Sequence, residues 1–133
     1  MAIPHLKRFG AFSIIGTVAL MPLLVLPAMI GVLVDNAGMS EQWAGWSASA
    51  NFMASAVIAM LVALRVHHLN LRRLCTWALT FAIAADLASG LTAGSTTIFF
   101  AARIVAGIML GATYVAAVSS FARYDGFERG FGL

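Results

Sequence analysis

Four long runs with almost no charge leave this chain few ways to fold. Residues 11–34 and 43–64 hold no charged side chain, residues 74–91 hold one, Asp86, and residues 97–121 hold one, Arg103. At a rise of 1.5 Å per residue, helices over these runs span roughly 27–37 Å, enough for a hydrocarbon core about 30 Å thick. The sequence therefore predicts an all-α membrane protein with four transmembrane helices in a single domain, residues 1–133. The connections 35–42 and 92–96 are short, which makes neighbouring helices antiparallel. Ser40 is suited to cap the second helix, and Ser95 or Thr96 the fourth.

Composition excludes a water-soluble domain. The chain is 62% hydrophobic and 10% charged, against about 25% charged in soluble domains. The remaining basic residues cluster at helix ends: Lys7 and Arg8, then Arg65, Arg72 and Arg73, then Arg123 and Arg129. All fall on one side of the four crossings. The opposite side carries Asp35 and Glu41 and no Lys or Arg. The positive-inside rule makes the basic side cytoplasmic, with both termini there, in the cell inner (plasma) membrane. Trp43 and Trp46 fall where an outer aromatic belt is expected, and Trp77 near the inner face. The basic excess is a topology signal and no nucleic-acid footprint, since no basic stripe with interleaved aromatics exists. The first run is too long for the apolar core of a signal peptide, about 7–15 residues, so it reads as a retained helix.

Enzyme chemistry finds little material. The chain has five acidic residues in all, and it lacks a phosphate-binding glycine loop, a nucleophile elbow or paired carboxylates. No cofactor or metal is expected. Cys75 is the single cysteine and reads as a packing residue. His67 and His68 lack companion ligands and read as solvated or facing headgroups.

The intramembrane polar residues are the candidate site. Asp86 precedes the outer end of helix three by five residues, and Arg103 follows the outer start of helix four by six. Both then lie roughly 8–9 Å below the outer boundary. A guanidinium in a bilayer costs roughly 2.5–3.5 kcal/mol even on lenient scales. Three readings are open: a direct Asp86–Arg103 ion pair, an arginine facing a water-filled cavity with Asp86 in a separate contact, and purely structural glue. Ser47, Asn51 and Ser55 recur every four residues on one face of helix two. That stripe can line an aqueous path or bond across a helix interface. Gly107 and Gly111 follow Arg103 at four-residue steps and suit close helix packing. Pro22 and Pro27 lie inside helix one and favour a kink.

Three stretches resemble the major facilitator superfamily of transporters. Ala102-Arg103-Ile104-Val105-Ala106-Gly107-Ile108-Met109-Leu110-Gly111 is similar to the family's R-x-x-x-G-x-x-x-G pattern in helix four. Gly38-Met39-Ser40-Glu41-Gln42-Trp43-Ala44-Gly45-Trp46 resembles its L-G-L-S-E-A-Q-A-G-W connection between helices one and two. Phe127-Glu128-Arg129-Gly130-Phe131-Gly132-Leu133 resembles the P-x-R-A-F-G-L entry to helix five. The loop between helices two and three departs from the family's G-x-x-x-D-R-x-G-R-R. It keeps the basic pair Arg72 and Arg73, but both glycines are Leu and the Asp position is His68.

The resemblance implies that the chain is part of a six-helix half. A whole member has about twelve helices in two halves with the substrate between them. It implies that Arg103 takes part in proton coupling, that helices one and four border the substrate cavity, that helix three is more peripheral, and that helix two faces the second half. The expected partners are the lipid bilayer, a small solute or drug-like molecule with protons, and the missing C-terminal helices or another membrane chain, with residues 122–133 leading toward a fifth helix. The alternative from the residues alone is a stand-alone four-helix membrane protein, either a small multidrug-type transporter or a non-transporting subunit or scaffold. A small multidrug-type dimer would want an acidic residue in helix one, and residues 11–34 have none.

Overall fold

A computed structural model describes the backbone of residues 3–122 and the side chains of residues 10–120, apart from those of 12 and 23. Arg123, Arg129 and the stretch 127–133 lie outside the described residues, and so do the side chains of Lys7 and Arg8. Four α-helices and one 3-10 turn account for nearly all of the described chain: α1 (Ile3–Asp35), α2 (Glu41–Arg65), the turn Val66–His68, α3 (Leu71–Leu91) and α4 (Thr96–Ala122). No strand occurs among the described residues. Each of the four helices contains a window long and apolar enough to cross a membrane. In hydrocarbon a helix is favoured because it satisfies its own backbone.

Local chemistry sets the ends. The left-handed backbone at Gly38, φ 64°, lets the chain reverse between α1 and α2 without a Cβ penalty. The Met39 N–H then donates to the Leu33 carbonyl at 3.1 Å, which seats Met39 in a buried cluster with Leu33, Ala44 and Phe99. Ser40 caps α2, its hydroxyl oxygen accepting from the Trp43 N–H at 3.4 Å, and Glu41 occupies the first turn. An acid there complements the helix dipole. Asn70 caps α3 by accepting from the Arg73 N–H at 3.3 Å. Helix α1 begins at Ile3, earlier than hydropathy alone marks, and contains both Pro22 and Pro27 as one continuous helix. Its start in the structure lies in the stretch before residue 11 that carries Lys7 and Arg8.

Helix α4 is the hub. It packs on α1, α2 and α3, while α1 has little of its surface covered. Near the basic end, Cys75 and Leu71 of α3 bury against Ala116 of α4, with Ile15 of α1 beside them. At the other end the Leu33–Phe99 cluster joins α1 to α4. The tightest contact is between α2 and α4. A Cβ at Gly107 would overlap the Asn51 carbonyl, and one at Gly111 would overlap the Ser55 carbonyl and lie 2.6 Å from the Ile58 Cγ2. The two glycines allow backbone-to-backbone approach, which is how small residues drive association where lipid removes the hydrophobic term.

Gly107→Ala or Gly111→Ala should therefore lower stability in detergent by about 1–3 kcal/mol, the usual range for overpacking. Gly45→Ala, with open space around its would-be Cβ, should be neutral or mildly stabilising by helix propensity. Reversible unfolding of the three variants compares them, and equal stability of all three contradicts the packing account.

Candidate functional site

The intramembrane charges meet. Arg103 Nη1 donates to Asp86 Oδ1 at 2.7 Å, bridging α4 and α3. By helical rise, Asp86 lies about 7.5 Å from the end of α3 and Arg103 about 10.5 Å from the start of α4. The two levels are close enough for a long guanidinium arm to span the difference. The side chains are unequal in exposure: 7% for Arg103 and 41% for Asp86. The contact is a single one. Arg103 Nε is buried and has no hydrogen-bond partner.

The pair lowers the cost of its two charges without cancelling it. Each charge costs about 2.5–3.5 kcal/mol to place in a bilayer centre. Two unit charges about 4 Å apart attract by roughly 4 kcal/mol at an effective dielectric near 20. The attraction offsets part of the combined insertion cost of roughly 5–7 kcal/mol, and the orphan N–H adds about 1–3 kcal/mol against it. Stability alone is better served by an apolar pair.

Asn51 holds Arg103 from the opposite side. Its Nδ2 donates to the Arg103 carbonyl at 2.6 Å, and Asn51 is 2% exposed. Arg103 is thus fixed at its backbone by α2 and at its guanidinium by α3. Ser47 is also buried, and its hydroxyl donates to the Ala44 carbonyl at 2.8 Å. Ser55 offers its backbone to Gly111. The stripe Ser47, Asn51 and Ser55 therefore lies along the α2–α4 contact, and none of the three lines the cleft.

That cleft, of about 500 Å³, opens between α1, α3 and α4. Its apolar wall includes Pro22, Val25, Met29 and Val32 of α1 and Phe99 of α4, and among the described residues Asp86 and Arg103 are its only ionisable lining residues. A cavity of this size holds a small molecule. Ser89 also lines it, but its hydroxyl is committed to the Asp86 carbonyl at 2.8 Å. Arg72 and Arg73 sit exposed in the first turn of α3, beside exposed Arg65, His67 and His68 and far along the helix from Asp86. Among the described residues, no group of three His, Cys, Asp or Glu side chains could hold a metal ion.

The Asn51–Arg103 bond was not readable from the sequence as a specific pair. The available signal was indirect: a polar stripe on α2, and a glycine four residues after the arginine that lets α2 come close. In comparisons with known proteins, no family model matches the chain, and neither curated proteins nor solved structures give a match.

Asn51→Ala should cost about 0.6–1.7 kcal/mol, the range for interhelical hydrogen bonds in membranes. Asn51→Asp should cost more, because an ionised carboxylate would face a carbonyl oxygen. Unfolding titrations in detergent read both, and an Asp variant as stable as wild type contradicts the bond.

Proposed function

We propose that this chain forms the first four helices of a major-facilitator-type secondary transporter, carrying a small solute or drug-like molecule in exchange or symport with protons. The observation that carries the reading is a buried arginine on α4, held by one carboxylate, at the edge of a small-molecule cleft bounded by α1, α3 and α4. An ion pair of this kind is a poor stabiliser and a good switch. A proton or a charged ligand reaching Asp86 changes what holds Arg103, and with it the contact between α3 and α4. Intramembrane ionisable residues mark substrate and proton paths for this reason.

The contact pattern supports antiparallel neighbours. Along α3 and α4 the pairs step in opposite senses, Asp86 with Arg103 and Cys75 with Ala116. Along α2 and α4 they step in the same sense, Asn51 with Gly107 and Ser55 with Gly111. A chain that crosses a bilayer alternately up and down gives both. On this reading the basic end of the bundle lies in the cytoplasm and the Asp35–Glu41 end faces outward. Arg72 and Arg73 support that orientation, because two cations in the first turn of α3 work against its dipole. Membrane sidedness, in place of helix stability, accounts for them there. The transport cycle requires further helices around the cleft, from the same polypeptide or another chain, since substrate in this architecture sits between two repeats.

The test is solute-driven proton flux in sealed vesicles containing the whole transporter, read with a pH-sensitive dye. Arg103→Ala should abolish flux while membrane insertion persists. Arg103→Lys should reduce it by about tenfold or more, because an ammonium lacks the planar fork. Undiminished proton-coupled flux in Arg103→Ala contradicts the coupling role.

A further inference from the structure

The two members of the ion pair are not presented equally. Asp86 exposes 41% of its side chain and lines the cleft, while Arg103 exposes 7% and has Nε sealed off. The pair is neutral as a whole but behaves as a dipole: both residues line the cleft, and the negative end is the exposed one while the positive end is buried against α3. Among the described residues, no other ionisable side chain lines the cleft to offset that field. Around it the wall is aliphatic and aromatic, and the hydroxyl of Ser89 has its proton committed to the Asp86 backbone carbonyl. The more accessible charge dominates the field that a ligand in the cleft meets, because the attraction falls with distance.

We infer that the cleft is a binding site for a small organic cation with an apolar body, its charge paired with the free face of the Asp86 carboxylate. The inference deepens the transporter reading by naming the class of substrate, and rests on that reading only for whether the bound cation is moved. The geometry matches the chemistry in three respects. Oδ1 is engaged by Arg103 through one bond, so the carboxylate keeps acceptor capacity for a second cation. The cavity volume suits a compact molecule. The apolar wall along α1 takes the hydrophobic part, while an anion entering the same cleft would meet the carboxylate first and find the guanidinium already covered.

The experiment uses two probes of matching shape and opposite charge, tetraphenylphosphonium and tetraphenylborate. Equilibrium binding to the purified chain in detergent is measured by calorimetry against protein-free micelles. Wild type should bind the phosphonium saturably at one site. Asp86→Asn should weaken that binding at least about tenfold, a change of about 1.4 kcal/mol. The same variant should leave tetraphenylborate binding unchanged or tighten it, since the guanidinium then supplies the nearest charge. A merely structural role for Asp86 would weaken both probes alike, and that result overturns the inference. Val25→Trp fills the cleft and leaves the ion pair intact, so it serves where Asp86→Asn fails to fold. It should also abolish phosphonium binding, and retained binding overturns the inference. Binding with these signatures but no proton-linked flux would defeat the transporter reading and leave the cation site standing. Flux with a cleft that prefers the borate would do the reverse.

Discussion

An arginine buried inside a bundle of four long apolar helices must find a counter-charge, and the rest of this bundle is arranged around that need. The guanidinium of Arg103 reaches the Asp86 carboxylate at 2.7 Å. Neither charge is comfortable in hydrocarbon alone, and their attraction is of the same order as the cost of bringing them there. The pair is therefore a poor stabiliser. Its sensitivity is the more important property: removing one partner, or offering either a competing one, changes the balance by several kcal/mol.

The sequence around Arg103 serves its placement. Gly107, one turn on, removes the side chain that would hold α2 away. The Asn51 backbone fills that space, and the Asn51 amide reaches the Arg103 carbonyl at 2.6 Å. Gly111 repeats the device against Ser55. Helix α4 is thereby clamped along α2 and free to carry a charge toward α3. Helix α1 is held more loosely, by clusters at Ile15 and at Leu33. Between those clusters the cleft opens, so the loosest helix forms its main wall.

Hydropathy and charge spacing carried most of the architecture. The four helices were legible because runs nearly free of charge have one stable conformation in lipid, and Ser40 as the cap of α2 followed from capping chemistry. The boundary of α1 was less legible, since its first two turns lie in a stretch with basic residues where hydropathy gives no signal. Asp86 and Arg103 could be placed at one depth by counting residues, but not on facing sides. Rotation about a helix axis depends on packing with the other helices, and α3 and α4 are apolar on most of their surface. The stripe Ser47, Asn51 and Ser55 left two readings open for the same reason. The cleft itself was not legible, because a void is a property of three helices together and no single segment encodes it.

The central claim is that Asp86 and Arg103 are one interacting unit. A double-mutant cycle tests it most directly, with Asp86→Asn, Arg103→Gln and the double variant unfolded reversibly in the same detergent. Contact predicts a coupling energy of about 1 kcal/mol or more, with the double variant less damaged than the sum of the singles. Effects that add to within about 0.3–0.5 kcal/mol would contradict it.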